Sequence, residues 1–165
     1  MFSAGEVVVY STQGVCLVKE ITTMKFGGTK AEYYVLTPVS DRGAVVYVPT
    51  EKPALVAKMR PVLNREELDG LIVKSASEKS EWIENDAERK LYCDSAVKSG
   101  DRGELMRMME MLYLRREELK NQKRHFHNID AQYLKTAERM LHDEIAYVLG
   151  ISLDEVPAYI QSRIK

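Results

Sequence analysis

The residues best suited to chemistry in this chain are two closely spaced histidines, His125 and His127, and two cysteines, Cys16 and Cys93. Histidines two positions apart do not face each other on a helix, and no cysteine or carboxylate follows at ligand spacing, which disfavours a metal site. The cysteines form no C-x-x-C pattern and have no recognisable histidine and orienting group, so we interpret them as reduced structural thiols. We therefore expect no metal, no cofactor and no enzymatic activity.

Trp82 is the single tryptophan and lies in a polar, acidic stretch. Two interpretations remain open: the ring is packed between domains, or it is an exposed wedge that stacks on a base or enters a minor groove. The pattern predicts a helix over 81–98, on which Asn85, Arg89 and Lys90 would share a face with the tryptophan. These residues are the candidate nucleic-acid contacts.

The densest positive segment runs from Arg115 to Arg124 and also contains Glu117 and Glu118. It could meet phosphates, or it could be an ordinary solvated helix face, and both interpretations stay open. The formal net charge of -1 argues against a protein that coats nucleic acid by charge alone. Any contact with DNA is therefore expected to be local and helped by a second partner.

The candidate functional residues lie in two halves of the chain that have different sequence patterns. Before residue 63, β-branched segments alternate with turns, and the turn residues include Gly27-Gly28. The pattern predicts strands over 5–10, 15–26, 32–36, 44–48 and 59–62, with a helical turn over 52–58 before the last. Short strands with tight turns predict a small twisted barrel.

Helical patterns fill the second half. Asn64 is a predicted N-cap with Glu67 as the partner in a capping box, and Ser152 opens a similar box near the end. A polar linker is predicted over 74–80, with helices over 81–98, from Asp101 onward and over 130–149. The fold class is thus predicted to be α+β, with a β-domain over 1–63 and an all-helical domain over 64–165.

The sequence contains no apolar run of about 18 residues, so no transmembrane helix is expected. The N-terminus lacks the basic and apolar regions of a secretory signal. We therefore expect a cytoplasmic protein without a membrane partner.

Several segments resemble one family of bacterial transcription regulators, the CarD/CdnL family. In the first half these are residues 2–10, Gly14-Val15, residues 32–36, residues 46–49 and residues 60–62. In the second half the matching features are Trp82, Arg89, Ser99-Gly100-Asp101, Leu112, and the segments 137–141 and 144–146. The first half alone is also similar to the polymerase-interacting domain of transcription-repair coupling factors, whereas the helical half favours CarD.

The resemblance implies a Tudor-like β-barrel that docks on the β subunit of RNA polymerase and a helical domain that meets promoter DNA at the upstream edge of the bubble. The tryptophan would wedge into the minor groove there and slow bubble collapse, with weak DNA binding in isolation. The protein would be associated with the nucleoid through polymerase. The alternative is an adaptor that binds polymerase or another protein without contacting DNA.

The family's polymerase-binding basic residues correspond to positions near Met24 and Tyr47 here, and a DNA-contacting lysine corresponds to a position near Ala131, with Lys135 the nearest substitute. The resemblance thus implies a polymerase-binding set of Met24, Lys25, Val46, Tyr47 and Pro49. It implies a DNA-binding set of Trp82, Asn85, Arg89, Lys90 and Lys135. A monomer is expected, and a dimer formed by exchange of β-elements is the open alternative.

Overall fold

The computed structural model describes residues 1–164, and the chain divides into two compact units, Met1–Leu63 and a second unit that begins at Asn64. An antiparallel sheet dominates the first unit and helices make up the second, which confirms the predicted β-domain followed by a helical domain. Among the described residues, no helix is both long and apolar enough to pass through a lipid bilayer.

Five strands form the sheet of the first unit, in the order β4-β3-β2-β1-β5 with antiparallel neighbours. They are β1 (Val7–Tyr10), β2 (Val15–Phe26), β3 (Thr29–Pro38), β4 (Val46–Pro49) and β5 (Met59–Pro61), with a short helix α1 (Pro53–Val56) before β5. Gly27 and Gly28 join β2 to β3 with φ angles of 57° and 87°, a conformation that glycine adopts without strain.

Only β2 has the predicted bounds: β1 begins at Val7 instead of residue 5, β4 begins at Val46 instead of residue 44, and β5 ends at Pro61 instead of residue 62. β3 extends beyond the predicted 32–36 at both ends, since the glycine turn pairs its flanking residues directly. Pro49 belongs to β4 instead of ending it. β4 is an edge strand, where the missing N–H of proline costs no hydrogen bond to a second neighbour.

One apolar cluster receives side chains from all five strands, namely Val8, Tyr10, Cys16, Val18, Tyr34, Leu36, Val48 and Met59. Phe2 and the residues Leu55 and Val56 of α1 pack against its margin. Because strands from both edges reach the same cluster, the sheet must curl around it, as in a small barrel. This curled sheet fixes which residues remain on its outer face.

As far as residue 164, the second unit contains five helices: α2 (Arg65–Ser77), α3 (Asp86–Ser99), α4 (Arg102–Asn121), α5 (Asn128–Leu149) and α6 (Val156–Ile164), the last preceded by a 3-10 turn, Leu153–Glu155. The prediction of a linker over 74–80 is wrong in its first part, because α2 continues to Ser77. The predicted helix over 81–98 is also wrong at its start, because α3 begins at Asp86.

Capping residues set the helix boundaries. The amide oxygen of Asn64 accepts from the Glu67 N–H at 2.8 Å, and the Glu67 carboxylate accepts from the Asn64 N–H at 2.9 Å, so the predicted capping box is present. Asp101 caps α4 through the N–H of Glu104 at 2.9 Å. Gly100 and Gly150 end their helices in the left-handed conformation, with φ of 66° and 67°.

The helical core is apolar, but it also contains charge. α4 contributes Leu105, Met106, Met108, Met111, Leu112 and Leu119, and α5 contributes Leu134, Ala137, Met140, Leu141 and Ile145. Two ion pairs cross this core: Arg89 of α3 with Asp130 of α5, and Arg102 of α4 with Glu144 of α5. Both pairs attach a neighbouring helix to α5.

Candidate functional site

Three aromatic rings lie together on the outer face of the sheet; Phe26, Tyr33 and Tyr47 are called the aromatic cluster below. Their centroids are 5.3 Å (Phe26–Tyr33), 5.8 Å (Phe26–Tyr47) and 6.3 Å (Tyr33–Tyr47) apart, and all three pairs meet edge to face. Phe26 is 48% exposed and Tyr47 is 42% exposed. The cluster is therefore ordered by its own contacts and still offers apolar surface to a partner.

The strand register explains why part of the predicted polymerase-binding set lies on this face. Directly opposed residues of an antiparallel pair share a face, as do residues two apart along a strand. Tyr33 is opposite Pro49, two residues beyond Tyr47, and Met24 is opposite Ala31, two residues before Tyr33. Met24, Tyr47 and Pro49 are thus brought to the face of the aromatic cluster.

The other two residues of that set lie on the opposite face. Val46 is opposite Leu36 and packs against the core cluster, which corrects the expectation that it shares a surface with Tyr47. Lys25 is opposite Lys30, and both side chains are exposed. Lys25 therefore contributes positive charge on the far side of the β2–β3 hairpin.

Phe26 and Tyr33 were absent from the predicted set, although the sequence contained a signal for them. A two-residue Gly27-Gly28 turn fixes the register of the hairpin, and period-two alternation then puts Phe26 on the same face as Met24. The proximity of both rings to Tyr47 depends on the pairing of β3 with β4, which no short-range pattern specifies.

Trp82 lies in a segment between α2 and α3 that forms neither helix nor strand. The helical spacing from Trp82 to Asn85, Arg89 and Lys90 is therefore not realised. The ring is half-buried. Two guanidinium groups lie over it: the Cζ atom of Arg89 is 4.4 Å from the ring centroid and that of Arg115 is 5.2 Å away. Two guanidinium groups thus lie over the tryptophan ring, although its sequence neighbours are acidic.

Arg89 is buried and fully engaged by protein groups, with its side chain only 4% exposed. Its Nε donates to Asp130 Oδ1 at 2.9 Å and its Nη2 donates to Asp130 Oδ2 at 3.2 Å. Burial alone would lower the pKa of the guanidinium, but hydrogen bonds to Asp130 and Asp86 outweigh it and raise that pKa. This position corrects the expectation that Arg89 presents a charge to DNA.

Arg115 on α4 lies beside a cleft of about 110 Å³ that Trp82 also lines. Arg124, His125 and His127 contribute the remaining basic groups, and Glu84, Asp86 and Asp130 contribute acidic ones. The Arg115 Nη1 donates to Glu118 at 2.9 Å, whereas its buried Nε has no acceptor among the described residues. The basic segment of the sequence and the tryptophan are therefore one site.

The remaining residues of the predicted DNA-binding set are dispersed. The side-chain oxygen of Asn85 accepts from the Glu88 N–H at 3.0 Å, so its amide is engaged as the N-cap of α3. Lys90 is exposed and lines a second, more apolar cleft with His127 and Tyr133. Lys135 is exposed on α5 and lines neither cleft.

A comparison with protein families identifies the N-terminal unit. Residues 2–63 match the family model of the CarD-like/TRCF RID domain. Over these residues the N-terminal unit is similar to that domain. The resemblance to CarD/CdnL regulators is thus confirmed over these residues, and the match ends where the helical unit begins. No curated protein matches the chain.

The RID domain is an RNA polymerase-interacting domain, and the match over residues 2–63 supports a transcription-related protein with RNA polymerase as a partner. The aromatic cluster lies within the matched residues, as do Met24, Lys25 and Pro49. Trp82 and its cleft lie outside them. The family match therefore supports the aromatic cluster as a functional surface, and it does not extend to the Trp82 cleft.

The two cysteines, Cys16 and Cys93, are both buried. Burial raises the pKa of the Cys93 thiol to about 11, and the nearby Asp130 carboxylate adds to the effect. Little thiolate forms at neutral pH, which does not suit a nucleophile. Within the described residues, no three His, Cys, Asp or Glu side chains are arranged to hold a metal ion.

Proposed function

We propose that the chain is a non-enzymatic regulator that docks on the β subunit of RNA polymerase through the aromatic cluster and stabilises the open promoter complex through Trp82. The observation that supports the proposal most directly is the RID match over residues 2–63. The presence of the only tryptophan in a cleft lined by arginines and histidines supports the DNA-contacting part. Such a protein would act in the cytoplasm, on the nucleoid.

The docking surface has the chemistry of a protein interface. Exposed aromatic residues are enriched at the centres of interfaces, where they contribute much of the binding energy. Tyr47 belongs to β4, which is an edge strand of the sheet, and such an edge can also accept an added strand from a partner. We therefore propose that apolar contact with the aromatic cluster, more than charge, holds polymerase.

Replacement of Tyr47 by alanine should weaken binding of the full chain to RNA polymerase by roughly tenfold or more, since removal of a central aromatic residue commonly costs about 2 kcal/mol or more. Phe26→Ala should act in the same direction. Tyr147→Ala is the matched control, because Tyr147 of α5 is 43% exposed and lies outside the matched residues. Titration of labelled protein with polymerase core enzyme measures the affinities; equal affinities for the Tyr47 and Tyr147 variants would contradict the proposed surface.

On the DNA side, Trp82 would insert at the edge of the bubble while cations around the cleft contact the backbone. An inserted aromatic partly unstacks a base step, which is easiest where strands are already separated. Arg124 lines the cleft and offers exposed positive charge for such a contact. A factor that binds melted DNA better than closed DNA shifts promoter opening only by that difference in affinity.

Replacement of Arg124 by glutamine should reduce the salt dependence of promoter binding by the polymerase–regulator complex. Each lost phosphate contact lowers the slope of log K against log salt concentration by about 0.9. Arg139→Gln is the control, because Arg139 is exposed on α5 and does not line the cleft. If both variants keep the slope of the unmodified chain, Arg124 is not a phosphate contact.

A second candidate function is an adaptor that binds polymerase without DNA. The acidic groups Glu84, Asp86 and Asp130 in the same cleft favour it, since they would repel phosphates. Crosslinking from position 82 to promoter DNA in the assembled complex separates the two candidates. Crosslinks to the bubble edge support the DNA contact, and crosslinks to protein alone support the adaptor.

A further inference from the structure

The guanidinium of Arg89 holds together three parts of the helical unit. It binds Asp130 at the start of α5 through two hydrogen bonds of 2.9 and 3.2 Å. It also binds Asp86, on its own helix, through Nη2 at 2.7 Å. Its Nη1 donates to the backbone carbonyl of Ile83 at 2.9 Å, with a longer contact of 3.4 Å to that of Glu84.

The segment that contains Trp82 depends on side chains for its position. Residues 79–84 form neither helix nor strand, so the regular backbone bonds of those elements are not available to it. Arg89 binds the carbonyl of Ile83, directly after the tryptophan, and Ser80 donates to Glu110 of α4 at 2.9 Å, just before it. The chain is thus tied on both sides of Trp82.

The same guanidinium that binds the Ile83 carbonyl also lies 4.4 Å from the centroid of the Trp82 ring. Asp130 of α5 binds Arg89, and Arg89 in turn contacts the backbone and the ring of this segment. The position of Trp82 is therefore fixed relative to α5. We propose that Arg89 is a positioning residue: it sets the direction of the Trp82 ring and affects promoter opening only through that ring. The part concerning promoter opening rests on the proposed function.

Arg89→Lys is the informative substitution, because lysine keeps the positive charge near Asp130 but cannot reproduce the forked set of hydrogen bonds. Since Trp82 is the only tryptophan, its fluorescence reports this position alone when excitation avoids the tyrosines. In the full chain we expect Arg89→Lys to shift the Trp82 emission to longer wavelength and to increase its quenching by acrylamide. Helical content, measured by circular dichroism at the same temperature, should be retained.

In a promoter assay with polymerase, Arg89→Lys should shorten the open-complex lifetime by more than half of the Trp82→Ala effect on a logarithmic scale. In the Trp82→Ala background the same substitution should add no further change. Arg102→Lys is the matched control, since Arg102 forms the other ion pair that joins a neighbouring helix to α5, with Glu144 at 2.5 Å. It should leave both the Trp82 emission and the lifetime unchanged.

Unchanged emission and quenching in Arg89→Lys would overturn the positioning role, as would a lifetime effect that persists undiminished in the Trp82→Ala background. If Arg89→Lys does not fold, Asp130→Asn takes its place, because it removes the anchor charge with little change in shape; the same shift in emission is then required. If Trp82→Ala itself leaves the lifetime unchanged, the proposed function fails, and the fluorescence result alone decides whether Arg89 positions the ring.

Discussion

Asp130→Ala is expected to lower the unfolding free energy of the helical unit by about 3 kcal/mol. Removing one partner of a buried ion pair typically costs about 3–5 kcal/mol, because an uncompensated charge remains inside. Arg89 would be that charge, with 4% of its side chain exposed. Asp86 would remain as a partner, but its side chain is 86% exposed, so we expect the lower end of the range. Urea unfolding followed by the helical circular dichroism signal measures the change.

Glu117→Ala is the control for this result. Glu117 pairs with Arg116 on the surface of α4 at 3.8 Å, and both side chains are about 40% exposed. An exposed pair of this kind contributes about 0–1 kcal/mol, so its loss should hardly move the unfolding midpoint. Comparable midpoints for the Asp130 and Glu117 variants would mean that the buried pair does not stabilise the unit as its burial indicates.

Trp82→Ala is expected to shorten the lifetime of the open promoter complex while polymerase affinity stays unchanged. Loss of an aromatic residue stacked on a base costs about 1–3 kcal/mol, which corresponds to a roughly 5- to 150-fold shorter lifetime if the whole loss falls on the melted state. Affinity for polymerase should be retained because Trp82 lies outside residues 2–63, which match the RID domain. Competitor challenge of preformed complexes gives the lifetime.

Tyr113→Ala provides the comparison for the tryptophan. Tyr113 is an aromatic residue of the same unit, is 44% exposed and does not line the Trp82 cleft. It should leave the lifetime of the open complex unchanged. A Trp82→Ala variant with the lifetime of the Tyr113 variant would remove the wedge from the proposed function and leave the adaptor.

Much of the fold was accessible from sequence because local signals determine it. Period-two alternation and the Gly27-Gly28 turn both act over a few residues. The capping residues Asn64 and Ser152 likewise mark helix starts through contacts three positions away. Such short-range preferences agree with the tertiary structure here, which is why the strands and most helices were predicted.

The irregular conformation of the segment around Trp82 was not predicted, because the sequence allows a helix to start either near residue 81 or after Asn85. Asn85 with Glu88 three residues later is a good N-cap position, and the structure uses it. The interpretation of a helix from residue 81 passed over this signal. The polar composition of 74–80 resembled a linker, yet α2 continues through Ser77, because polar residues on an exposed helix surface have the same composition.

The candidate site depended on contacts that no short pattern contains. Arg89 and Asp130 are 41 positions apart, so the burial of Arg89 follows only from the packing of α3 on α5. Arg115 reaches Trp82 from α4 in the same way. The residue types were identified, but whether a given arginine is free or internally paired is decided by tertiary structure.

The buried pair also has an evolutionary consequence. A substitution at position 89 or position 130 alone leaves a charge inside the helical unit, whereas a paired replacement by apolar residues of similar volume is often neutral for stability. We therefore expect that positions 89 and 130 tolerate mainly substitutions that occur together. The hydrogen bond from Arg89 to the Ile83 carbonyl adds a further constraint. An apolar pair at positions 89 and 130 would keep the fold but would no longer hold the segment that contains Trp82.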